Sequence, residues 1–108
     1  MRYKHTLPAL PFELGNIVFS PGIIAALQTS SSLRSFIDEM LEFHSATEFG
    51  IITRATRFDN TMAALLGTGR LLSRFFIPKD VWLAESAIII TTHLDEHTTT
   101  IRFPGEQE

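Results

Sequence analysis

The chain has 108 residues, 44% of them hydrophobic and 19% charged, with nine phenylalanines; that is enough for one packed core, too little for two, and too apolar for a disordered chain. Its formal net charge of -3 carries neither the domain-wide basic excess that marks nucleic-acid binding nor a polybasic membrane anchor. The lack of cysteine excludes a disulfide framework, a thiolate nucleophile and a cysteine zinc site.

Met1-Arg-Tyr-Lys-His-Thr is too polar to open a signal peptide, and no apolar run reaches bilayer length. A cytoplasmic location is the expectation. Residues 1 to 11, with Pro8 and Pro11, read as an extended arm; residues 12 to 104 read as one domain and 105 to 108 as a tail. Glu13 to Phe19 reads as a strand in which Gly15 marks a bulge or a close backbone approach. Ser20-Pro21-Gly22 then starts a short helix to about Leu27, because serine caps free N–H groups and proline is tolerated at the first helical position.

Thr29 to Ser32 breaks that helix and supplies the next cap. Leu33, Phe36, Ile37, Met40 and Leu41 fall at i, i+3, i+4, i+7 and i+8, one stripe of a helix. Its other face carries Arg34, Asp38, Glu39 and Glu42, read either as solvated charge or as an acidic binding face. Phe43 to Thr56 shows no sustained period and reads as loop holding at most one turn of structure. Asp59 or Asn60 is the expected cap of a third helix, Thr61 to Leu66, stopped by Gly67 and Gly69.

Arg70 to Ile77 alternates, with Leu71, Phe75 and Ile77 on one side and Arg70 and Arg74 on the other: period two, a half-buried strand. Ala87 to His93 is β-branched and apolar on both faces, which predicts a central strand. Thr98 to Phe103 alternates again and ends at Pro104, which has no N–H for a ladder. The short link Leu94 to His97 makes the last two strands antiparallel neighbours, and Trp82 sits in the longer connection before them. The order β-α-α-α-β-β-β predicts a single α+β domain with a mainly antiparallel sheet of about four strands and helices on one face.

No stretch carries a nucleophile elbow, a phosphate-cradling loop or an HExxH motif. No cofactor, metal or catalytic residue is assigned. Two weaker constellations remain. His93, Asp95 and His97 adjoin the last hairpin, where they are metal or acid–base candidates or simply exposed turn residues, Asp95 in the latter case accepting N–H groups of the turn. His44 and Glu48 are spaced by four, an acid–base pair if the second helix continues, or else a histidine at the negative end of a helix dipole. Arg54, Arg57, Arg70, Arg74 and Arg102 form the basic set, of which Arg70, Arg74 and Arg102 make a patch for nucleic acid or an acidic protein if their strands expose one face, against the plainer reading of solvated strand surface.

Four segments together resemble a family of short proteins encoded on plasmids and integrative conjugative elements, described as plasmid-related proteins and sometimes labelled type I restriction subunit M. Leu14-Gly15, Ile17-Val18 and Pro21-Gly22 are similar to LGxIVATPG; His44 with Glu48-Phe49-Gly50 to HxxGDWG; Asn60, Gly67 and Arg70-Leu-Leu-Ser73 to NxxxLxxGxRLLS with one residue inserted; Ile88 to Pro104 to IWIITEADRSATTILLP. Phe49 and Ile89 stand where the family has tryptophan, and Glu96 where it has arginine, so the chain resembles a divergent member. The resemblance implies a mobile-element setting and no particular chemistry. A chain of this length also has no room for a methyltransferase domain.

The expected function is therefore a non-enzymatic interaction protein that binds a host or element macromolecule and inhibits a defence system such as a CRISPR effector or a restriction enzyme. The expected contact residues are Asp38, Glu39, Glu42, Glu48, Phe49 and Trp82. The alternatives are a minimal metal-dependent hydrolase or nuclease using His44, Glu48, Asp95 and His97, and a DNA-binding regulator using Arg70 and Arg74. A protein partner is favoured over nucleic acid, no membrane is expected, and a homodimer by sheet extension stays open.

Overall fold

The structure, a computed structural model, describes residues 12–106. The expected arm of residues 1 to 11 and the last two residues of the expected tail lie outside the described residues. The elements run β1 (Asn16–Phe19), α1 (Pro21–Leu27), α2 (Ser31–Ser45), α3 (Arg54–Leu66), β2 (Arg70–Phe76), β3 (Ala87–His93), a 3₁₀ turn (Leu94–Glu96) and β4 (Thr98–Arg102). This is the α+β domain and the element order that the sequence predicts. The strands form one mixed sheet in the order β1-β4-β3-β2, with β2, β3 and β4 antiparallel and β1 parallel to β4.

Register puts the core on one face. Leu71, Ser73 and Phe75 of β2 pair with Thr92, Ile90 and Ile88 of β3, and Ile90 and Thr92 pair in turn with Ile101 and Thr99 of β4. Because side chains alternate along a strand, these rows share a side. α1 and α2 cover it with Ile23, Ala26, Leu33, Ile37 and Leu41. Each fully buried Ile or Leu contributes roughly 1.5–3 kcal/mol, which makes this layer the main stabilising feature of the domain. Local signals set where the helices begin. Ser20 Oγ accepts from the Ile23 N–H at 3.2 Å and Ser30 Oγ from the Leu33 N–H at 3.1 Å, as capping serines do.

Several boundaries differ from the sequence reading. β1 opens at Asn16 rather than Glu13, because Gly15 turns the chain at φ +68° directly against His97. A Cβ there would lie 2.0 Å from the His97 carbonyl oxygen, so this glycine marks a close backbone approach. Of the stretch from Phe43 to Thr56 read as loop, residues 46–53 are irregular as expected, while its two ends belong to the last turn of α2 and the start of α3. α3 begins seven residues before the expected Thr61 and is capped by Thr53, whose Oγ1 accepts from the Thr56 N–H at 3.0 Å.

Asn60 is accordingly no cap. It lies within α3, 2% exposed, and its side-chain amide donates to the Leu72 carbonyl at 2.8 Å while accepting from the Leu72 N–H at 2.9 Å. One side chain thus fills the place of a neighbouring strand. Two residues along β2, the Arg74 N–H donates to the Phe49 carbonyl at 3.0 Å and the Ile51 N–H to the Arg74 carbonyl at 2.8 Å. The outer edge of β2 is therefore occupied from within the chain, and sheet extension through it is closed.

The tail also belongs to the fold as far as Glu106. Its carboxylate accepts from Ser20 Oγ, from the Gly22 N–H at 2.8 Å and from the Phe103 N–H at 2.9 Å, capping α1 from the far end of the chain. Burial pushes this carboxyl up, but the hydrogen bonds from Ser20, Phe103 and Gly22 and the charge of Arg102 outweigh it and hold it below the usual carboxylate range.

Candidate interaction surface

His44 lies in the last turn of α2 with no solvent exposure, between the rings of Phe12 and Phe49, whose centroids are 5.2 and 6.0 Å away. Its Nδ1 contacts Ser73 Oγ at 2.5 Å and its Nε2 contacts Thr92 Oγ1 at 2.9 Å. Thr92 Oγ1 in turn lies 2.7 Å from Thr99 Oγ1, which donates to the Leu14 carbonyl at 2.6 Å. A hydroxyl has one proton. Since that of Thr99 goes to Leu14, Thr92 must donate to Thr99, and His44 must donate from Nε2 to Thr92. Burial pushes the pKa of the imidazole down to about 3, so the ring is neutral and its Nδ1 accepts from Ser73. This is a sealed structural chain, not the helix-dipole histidine of the sequence reading.

The acid–base set expected of a hydrolase is accordingly dispersed. Glu48 is exposed while His44 is sealed. Asp95 accepts from Thr68 Oγ1 at 2.7 Å and from the Gly69 N–H at 3.3 Å; these two bonds hold its carboxyl below the usual range. It is a turn-forming residue that ties the last hairpin to the end of α3. His97 closes the 3₁₀ turn in the left-handed region at φ +54°. Among the described residues no group of three histidine, aspartate or glutamate side chains is placed to hold a metal ion, so His93, Asp95 and His97 do not converge.

The expected contact residues divide. Asp38, Glu39, Glu42 and Glu48 are exposed on and just after α2, and Arg34 Nε meets Asp38 at 3.3 Å. Phe49 is only 4% exposed and packs with Ala63 and Leu71, so it is core; the family-like motif around it surrounds His44. Trp82 is half-buried against the main core, its Nε1–H buried with no partner among the described residues. Beside it, Leu83 is 79% exposed. A groove of about 420 Å³ runs between the first turns of α2 and the β2–β3 connection, lined by Ser32, Ser35, Phe36, Glu39, Pro78 and Val81. Glu39 joins this groove to the acidic face.

Arg74 and Arg102 lie in one row across the sheet, each paired to Ile89, on the side away from α1 and α2. Arg74 stacks its guanidinium over Phe76 at 5.3 Å, and Arg102 donates to the Glu106 carbonyl at 2.8 Å. Both side chains are engaged within the domain.

One surface has no counterpart in the sequence reading. α3 buries Asn60 and Ala63 against β2 and turns Phe58, Met62, Leu65 and Leu66 outward, at 65%, 38%, 59% and 68% exposure. The signal was present as the spacing Phe58, Met62, Leu65. It was missed because the sequence reading opens the helix at Thr61, which leaves Phe58 outside it, and because an apolar stripe reads as the buried side of a helix, whereas here Asn60 and Ala63 are the buried residues.

Among the described residues no helix is long and apolar enough to cross a membrane. Comparison of the chain with protein-family models, with curated proteins and with solved structures gives no match.

Proposed function

We propose that this chain is a small non-enzymatic interaction protein of a mobile genetic element, acting in the cytoplasm, whose acidic α2 face and adjoining groove seat a basic segment of a protein partner. The observation that carries the reading is the groove itself, apolar at Phe36, Pro78 and Val81 and bordered by Glu39, with Asp38 and Glu42 exposed on the same helix. Such a surface is complementary to an aliphatic or aromatic anchor flanked by lysine or arginine. Enzymes that handle nucleic acid in host defence carry basic surface of this kind to neutralise phosphates. The mobile-element setting comes from the resemblance of the sequence segments, and inhibition of a CRISPR effector or a restriction enzyme is the concrete form of the proposal.

The hydrolase alternative loses support from the geometry, because His44, its central base, has no solvent exposure. The test is survival of a targeted plasmid in cells that carry the defence system. Expression of the wild-type chain raises transformation, and the triple variant Asp38→Lys, Glu39→Lys, Glu42→Lys abolishes that gain while keeping its circular-dichroism spectrum. A triple variant that protects as well as wild type overturns the surface assignment, and a wild type that protects from neither class of enzyme overturns the anti-defence role.

A further inference from the structure

The outward face of α3 takes no part in the groove and poses a separate question. A helix that packs one side on its own domain ordinarily presents polar residues on the other. Here Phe58, Met62, Leu65 and Leu66 are all exposed, and Ile51, just before the helix, is 55% exposed as well. The stripe is also symmetric about its middle. Phe58 and Leu66 each lie four residues from Met62, one turn to either side on a 3.6-residue helix.

Charge follows the same symmetry. Arg54 and Arg57 stand exposed at the start of α3 with Asp59 exposed after them, so two bases outnumber one acid there, and the positive pole of the helix dipole adds to them. At its other end Thr68 and Gly69 hold the Asp95 carboxylate, and Glu96 follows it, exposed. Arg70 lies at that end too, so two acids outnumber one base there, and the negative pole of the dipole adds to them.

We infer that two copies of this chain associate through α3, packed antiparallel about a two-fold axis at Met62. That arrangement sets Phe58 against the partner's Leu66 and Met62 against its own copy. It also brings Arg54 and Arg57 of each chain to the acidic end of the other, as an isologous interface requires. A parallel pairing would instead set Arg54 and Arg57 against themselves. A single helix stripe buries less than the roughly 800 Å² per partner of a standard interface, so the expected association is a weak one.

Sedimentation equilibrium from about 1 to about 300 μM reads the result. The wild-type mass is expected to rise from monomer to dimer across the range, while Phe58→Asp and Leu65→Asp stay monomeric with unchanged circular dichroism, both positions being largely solvent-exposed. Arg54→Glu weakens association at least threefold, and adding Glu96→Arg restores it. Because the chain has no cysteine, a Met62→Cys variant oxidises only between chains and is expected to do so faster than Ser35→Cys on α2. A wild type monomeric throughout, or a Met62→Cys variant that cross-links no faster than Ser35→Cys, overturns the inference. Neither result touches the α2 surface.

Discussion

Acidification from pH 7 to pH 5 is expected to destabilise this protein mainly through one side chain. His44 is neutral and sealed in the fold, with a pKa lowered from 6.5 to about 3 by burial; the unfolded chain takes up a proton there and the folded chain does not. A group whose folded pKa is depressed stabilises the fold in full above its unfolded pKa, and loses that contribution as pH falls toward the folded one. The window runs from about 6.5 down to about 3. At pH 5 the penalty is RT ln(1 + 10^1.5), about 2 kcal/mol, and its ceiling across the window is about 5 kcal/mol. A domain of this size is stable by about 5–15 kcal/mol, so the pH 5 penalty is measurable without being lethal.

Urea unfolding followed by circular dichroism at pH 7 and pH 5 tests this, with His44→Gln as control. Glutamine keeps one donor and one acceptor for Thr92 and Ser73 but does not titrate. The variant is expected to be less stable at pH 7 through imperfect packing, yet to lose little more by pH 5. The depressed carboxyls do not blur the comparison: Asp95, held down by Thr68 and Gly69, and Glu106 give up their contributions below the ordinary carboxylate range. If wild type and His44→Gln shift their midpoints equally, the account of His44 as a buried neutral imidazole is wrong.

Asn60→Ala leaves the N–H and carbonyl of Leu72 unpaired at the β2 edge and is expected to cost roughly 2–4 kcal/mol in thermal or urea unfolding. Asn60→Asp, which accepts from the N–H but repels the carbonyl, recovers only part; full recovery would refute the two-bond account. Glu106→Ala removes a cap from α1 and is expected to cost about 1 kcal/mol, with hydrogen exchange accelerating at Gly22 and Ile23 rather than across the sheet. Gly50 and Gly67 share a positive φ, +73° and +72°, but a Cβ at Gly50 would meet the Arg74 carbonyl oxygen at 2.3 Å whereas at Gly67 it meets nothing within 4 Å. Gly67→Ala is therefore expected to cost about 1 kcal/mol and Gly50→Ala several times that; equal losses would show that φ alone sets the cost.

The features legible in the sequence are those set by near neighbours in the chain. Alternation in β2 and β4, the two-sided apolar run of β3, the stripe of α2 and the serine and glycine signals at helix ends are periodic or adjacent, so their physics is local. They determine an α+β domain with β3 inside the sheet. Asp38, Glu39 and Glu42 were readable as exposed for the same reason, since they lie opposite the α2 stripe.

What tertiary structure alone decided depends on partners far away in sequence. Phe49 becomes core because Ala63 and Leu71 close over it. His44 becomes neutral because the sheet buries it, with Ser73 and Thr92 of two strands at its nitrogens. Asn60 becomes a substitute strand only once β2 lies beside α3, and Glu106 a cap only once β4 returns beside Ser20. The outer face of α3 escaped the sequence reading because an apolar stripe is ordinarily the buried side of a helix, and here the polar Asn60 lies on the buried side instead. Contact with β2 picks out which side is buried, and so leaves Phe58, Met62, Leu65 and Leu66 facing water.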